Sequence, residues 1–161
     1  MRLAVLVLED EPEVRNALVR DLAPLAGDVR LEPAGDVEDA WEAVAELEAD
    51  GDLLAVVLAD HRLPGRTGVD FLVELHERPH RSAVRKVLVT GQADQDDTIR
   101  AVNEAGLERY VAKPWDAAAL VELTREQLTE FVLATGIDPL PHLRALQAER
   151  ILPSLRERGD A

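Results

Sequence analysis

The chain has 161 residues, one domain's worth, enough to bury roughly 70% of the surface its unfolded form would expose. Hydrophobic residues at 47% and charged residues at 31% exclude collagen-like, disordered and low-complexity classes, and 3% aromatics leave the core to Leu, Val and Ala. Its 32 acidic against 18 basic residues give a net charge of −14, which argues against direct binding to nucleic acid or anionic membranes, and the lack of Cys excludes disulfides, thiolate metal sites and a thiol nucleophile.

The first element is the apolar run Leu3–Leu8, closed by Glu9, Asp10 and Glu11. Six residues bounded by acid are too short for a signal peptide or a bilayer span, so the run reads as a strand and the chain as cytoplasmic. Pro12 opens a helix with Val14, Leu18, Leu22 and Leu25 inward and Gly27 as its left-handed cap. Val29–Pro33 is a second strand; Asp36 caps a helix buried through Val37, Ala40, Val44 and Leu47 and closed by Gly51. Leu53–Ala59 is the third strand, followed by a helix with Val69, Leu72 and Leu75. Lys86–Val89, a helix with Ile99 and Val102 inward closed by Gly106, Arg109–Ala112, and a helix with Leu120, Leu123 and Leu128 complete five strand–helix pairs. The first, third and fourth strands lack polar alternation, as central strands covered on both faces require. The pattern predicts an α/β fold, a doubly wound five-stranded parallel sheet.

Composition changes near Ala134. Residues 134–161 hold four basic and four acidic residues, so residues 1–133 carry the whole net charge. Asp138-Pro139-Leu140-Pro141 predicts a helix start, with Leu140, Leu143, Ala148, Ile151 and Leu155 on one face and Pro153 kinking or ending the helix. The division is therefore a domain over 1–133 and a C-terminal helical extension or linker over 134–161.

Ligands bind open α/β sheets beyond the carboxyl ends of the strands. Those positions hold Glu9-Asp10-Glu11, Asp60 in Asp60-His61-Arg62-Leu63-Pro64-Gly65, Thr90-Gly91, and Lys113-Pro114. Carboxylates gathered on one edge repel unless a cation neutralises them, and hard oxygen ligands suit Mg²⁺. An aspartate nucleophile, a divalent ion, a hydroxyl and a Lys are the parts phosphoryl transfer uses. Each motif alone is ordinary: an acidic helix start, a turn cap, a strand-end hydroxyl. Their conjunction in the right order carries the assignment. His61, His76, His80 and His142 lack metal spacing and are expected to be solvated; Trp115 is expected to be a helix-start aromatic over the sheet edge.

These residues resemble the response-regulator receiver domain of two-component signalling, over about residues 1–133. The resemblance implies strand order 2-1-3-4-5 in a flavodoxin-like fold, Asp60 as phospho-acceptor, and Mg²⁺ held by Asp10, Asp60 and the backbone carbonyl of Arg62, with Glu9 acting largely through water. It implies that Thr90 and Lys113 hold the phosphoryl group, that Tyr110 reports activation with Thr90, and that Lys113-Pro114 is cis. Glu9 stands where Asp is commoner, and Leu63 where Met is commoner. Arg62 and Gln92 would flank the water that resets the switch, the long cationic Arg62 slowing hydrolysis. The implied partners are a histidine kinase or phosphotransfer protein and an output protein or domain sensed on the face of helix four, strand five and helix five; the chain itself would not be an enzyme. A phosphorylation-independent pseudo-receiver is the alternative, and a phosphatase is disfavoured because such enzymes place the nucleophile after their first strand. The apolar Phe131-Val132-Leu133 before the extension tips the reading toward a homodimer formed by helix five and the extension, with a fold-back onto the same domain or a linker to an output module as the open alternatives.

Overall fold

A computed structural model describes residues 1–91 and 95–159, with side chains up to residue 156. Five parallel strands lie in the order β2-β1-β3-β4-β5: β1 (Leu3–Leu8), β2 (Val29–Ala34), β3 (Leu53–Ala59), β4 (Arg85–Val89) and β5 (Arg109–Val111). Each falls within one residue of its predicted bounds, and β1, β3 and β4 are central. The helices are α1 (Pro12–Asp21), α2 (Val37–Ala49), α3 (Gly68–Glu77), α4 (Gln95–Ala105), α5 (Ala117–Thr135) and α6 (Ala148–Gly159).

β1 shows why the sheet needs two covers. Leu3, Val5 and Val7 enter the core shared with α1, α5 and α6, whereas Ala4, Leu6 and Leu8 enter the core shared with α2, α3 and α4. All six are fully buried, so alternation shows only in direction, not in polarity. Pro12 is the first residue of α1, Asp36 accepts from the Asp39 amide at 2.8 Å to cap α2, and Gly51 and Gly106 take left-handed φ of 83° and 67°. Gly27 does not, because Pro24 diverts the chain into a short 3-10 turn, Ala23–Leu25, before that cap can form.

Two inward assignments are corrected. α4 packs on α3 through Ala101 and Ala105, leaving Ile99 and Val102 49% and 53% exposed, because small side chains let the two helices approach closely. His61 and His142, expected in solvent, are buried. Inside β4, Lys86 is wholly buried and donates from Nζ to the carbonyls of Val84 and Ser82 at 2.6 and 3.3 Å.

Beyond α5, whose end is capped by left-handed Gly136, the chain makes two short elements where one helix was expected. Asp138 Oδ1 accepts from the Leu140 amide at 3.1 Å, opening a 3-10 turn over Leu140–Ala145. Leu146 then turns extended, and the Gln147 amide donates to Thr129 Oγ1 at 2.9 Å before α6 begins; α6 continues past Pro153. Arg125 Nη1 donates to the Arg144 carbonyl at 2.7 Å and Arg150 pairs with Glu130. Ala145, Leu146 and Ile151 are buried in the same core as Phe131 and Val132, although Leu140 is not. Phe131 and Val132 at the end of α5 are thus covered within the same chain, while Leu133 stays 40% exposed. If the extension is a packed part of the domain, Ile151→Ala should cost about 2–4 kcal/mol in urea unfolding, with the whole chain still melting in one transition; an unchanged midpoint would mean α6 is loosely held.

Candidate functional site

Parallel register brings the site together. β1 and β3 end in register, Leu8 beside Ala59, and β4 and β5 end with Val89 beside Val111. The ladder runs one step beyond the strands: the Glu9 amide donates to the Ala34 carbonyl, that of Asp60 to Leu8, and that of Thr90 to Val111, at 2.9, 2.9 and 3.0 Å. A register shift at Ala4/Val5 leaves Ala55 of β3 without an opposite number. This one-residue bulge sets Asp60 level with Glu9.

Lys113 Nζ lies 2.9 Å from Glu9 Oε2 and 2.9 Å from Asp60 Oδ2. Glu9 is fully buried, and its second oxygen, Oε1, has no hydrogen-bond partner among the described residues. Carboxylate oxygens of Glu9, Asp10 and Asp60 come within 4.8 Å of one another. The additional methylene of Glu9 carries its carboxylate to the ammonium directly. Burial pushes the Glu9 carboxyl up to about 7 against the pull of Lys113, with Asp60 adding to the rise. Burial would also raise Asp60, but hydrogen bonds from the Thr90 hydroxyl and from Lys113 outweigh it and hold Asp60 below the usual carboxylate range. Burial would lower Lys113, and its two carboxylate partners keep it raised instead.

Asp60, Thr90 and Lys113 line one open cleft of about 810 Å³, together with Asp10, Glu11, Val14, Arg62, Pro114 and Trp115, with Glu9 buried behind it. Lys113-Pro114 is cis, as expected. Arg15 Nη1 donates to the Glu9 carbonyl at 2.9 Å, and Trp115 Nε1 donates to Asp21 Oδ2 at 2.9 Å, so two contacts tie the cleft to α1. Tyr110 is partly exposed and donates from its hydroxyl to the Thr90 carbonyl at 3.1 Å. Arg62 is exposed at the rim, Leu63 packs on the core, and Gln92 lies outside the described residues. Every other site residue predicted from sequence lies at this edge. Gly68, which opens α3, went unnoticed in the sequence: a Cβ there would come 1.8 Å from the Asp60 carbonyl oxygen. Its only signal was Thr67-Gly68 at a helix start.

The response regulator receiver domain pattern matches residues 5–125. The chain belongs to that family. It is 32% identical over 155 residues to the hydrogenase transcriptional regulatory protein HoxA of Cupriavidus necator, covering 96% of this chain and 29% of that protein, so the likeness reaches well into residues 134–161. It is 38% identical over 117 residues to the transcriptional regulatory protein AruR of Pseudomonas aeruginosa, covering 73% of this chain and 46% of that one. This receiver thus spans less than half the length of either relative. The signal receiver domain of an HD domain-containing protein from Pseudomonas fluorescens Pf-5 shares its fold, with TM-score 0.73 and 24% identity over 85% of this chain and 94% of the solved one.

Because the α3 start sits against the Asp60 backbone, Gly68→Ala should be costly even though alanine favours helices. A loss of about 3 kcal/mol or more is expected in chemical denaturation, since the clash is with main chain rather than with a movable side chain. A neutral outcome would mean that the loop gives way freely.

Proposed function

We propose that this receiver takes a phosphoryl group from a histidine kinase or phosphotransfer protein onto Asp60 and switches a protein-binding face. The observation that carries the reading is the ammonium of Lys113 shared between Asp60 and Glu9, with the Thr90 hydroxyl on the same carboxylate. Asp60 is kept ionised and is therefore a competent nucleophile: its oxygen bonds to phosphorus as the donor's P–N bond breaks, leaving an acyl phosphate. Lys113 and Thr90 then serve the phosphoryl oxygens.

Three carboxylates cluster at this edge, two of them on the one ammonium, and the buried Glu9 Oε1 has no donor among the described residues, so the residues fit a divalent cation. Asp10, Asp60 and the Arg62 carbonyl would hold Mg²⁺, with Glu9 behind them; the ion would supply charge neutralisation at the transferring group. Tyr110, bonded to the Thr90 carbonyl, would follow the hydroxyl's movement and alter the α4–β5–α5 face, where Ile99, Val102 and Tyr110 are exposed. Residues 1–133 would be the switching unit and residues 134–161 a brace on α5. The chain would act as a switch rather than turn over a substrate. Its longer relatives are transcriptional regulators, and a similar output partner fits here; at −14 the receiver itself would not contact DNA. Among the described residues no helix is long and apolar enough to cross a membrane, and a cytoplasmic location accords with this reading.

Incubation with acetyl phosphate and Mg²⁺, read by intact mass, tests the reading. Wild type should gain one phosphoryl group, Asp60→Asn none while keeping its fold, and Asp10→Ala should react ~10-fold or more slowly. Arg62→Ala should lose the group faster than wild type, whose phosphorylated form should persist for minutes or longer. A wild type that takes up nothing with Mg²⁺ present would leave the pseudo-receiver in its place.

A further inference from the structure

His61 follows the acceptor directly, yet its imidazole is only 9% exposed and is held by the neighbouring helix. Its Nε2 lies 3.0 Å from Asp97 Oδ2 in the first turn of α4, and its carbonyl accepts from the Gly68 amide at 2.9 Å. A second tie of opposite polarity lies beside it. Asp70 closes a reciprocal capping box with Thr67 at the start of α3, and its Oδ1 accepts from Arg100 Nη1 at 2.8 Å. Asp97 and Arg100 are three residues apart and so share one side of α4. Both of their partners lie within residues 60–70, the segment wedged against the acceptor by the tight Gly68 contact.

Taking Asp60 as the phospho-acceptor, we propose that His61–Asp97 and Asp70–Arg100 form a clasp through which a change at Asp60 moves α4, with His61 the positioning residue. The backbone of Asp60 cannot shift without carrying Gly68 and the α3 start with it, because no free space separates them. Two polar ties then hand that shift to α4, and the buried Ala101 and Ala105 keep α4 close enough to α3 to follow. This route is separate from the contact of Tyr110 with Thr90, which lies on the other side of α4's sequence, at β5.

The test is amide NMR on the full chain, with beryllofluoride plus Mg²⁺ as the probe for the acyl phosphate. In wild type, amides of both the 60–68 loop and α4 should shift. In His61→Leu and in Asp97→Ala, the loop should still respond while the α4 shifts fall by about twofold or more. His61→Gln, whose amide nitrogen can still donate to Asp97, should restore the α4 response, which a merely space-filling role for His61 would not predict. Should His61→Leu fail to fold, Asp97→Ala on the partly exposed partner carries the comparison. An α4 response undiminished in Asp97→Ala, or equal in the Leu and Gln variants, overturns the clasp. A wild type whose 60–68 loop ignores the probe overturns the acceptor reading itself, and the two failures are thereby distinct.

Discussion

Two carboxylates buried side by side at the end of a sheet repel each other, and the ammonium of Lys113 is what lets Glu9 and Asp60 share that edge. It reaches both at 2.9 Å from the Lys113-Pro114 turn after β5, so a residue following the edge strand meets the ends of the inner strands β1 and β3. Burial sets the price of this arrangement unequally. Glu9, deeper and with an oxygen that has no partner among the described residues, is pushed toward the neutral form, while Asp60, with Thr90 and Lys113 on it, stays charged. One environment thus gives two neighbouring acids different characters.

Main-chain register fixes where those side chains can be. The parallel ladder continues one residue past β1, β3 and β4, and the bulge at Ala55 brings β3 into step with β1. The helices act on the same edge from outside. Arg15 of α1 holds the Glu9 carbonyl, and the start of α3 presses on the Asp60 carbonyl where only glycine fits. The site is rigid because its backbone is held on several sides, not because its side chains are bulky.

Strands were legible in the sequence because strands covered on both faces must be apolar throughout, and Leu3–Leu8 and Leu53–Ala59 are. Glu9, Asp10, Asp60, Thr90 and Lys113 were legible because the first one or two residues after a parallel strand fall at the sheet's carboxyl edge. α4 was misread: Ile99 and Val102 have the right period, but close packing on α3 selects Ala101 and Ala105 by size, which hydrophobicity alone does not register. The burial of His61 depends on Asp97, thirty-six residues away, and no local pattern encodes a pair so distant. In the extension, the apolar residues were visible, but the break at Leu146 depends on a hydroxyl supplied by Thr129 of α5.

Lys86 gives the fold a proton balance of its own. Burial inside β4 pushes its ammonium from an ordinary 10.5 down to about 8, even with two carbonyls accepting from it. Between those values the unfolded chain keeps a proton that the folded chain has released. The charged form therefore weighs against folding in full below about pH 8, and the burden lifts as pH rises toward 10.5. An acidic protein whose surface charge grows only more negative in alkali carries, at the centre of its sheet, a group that makes the same change favourable to the native state.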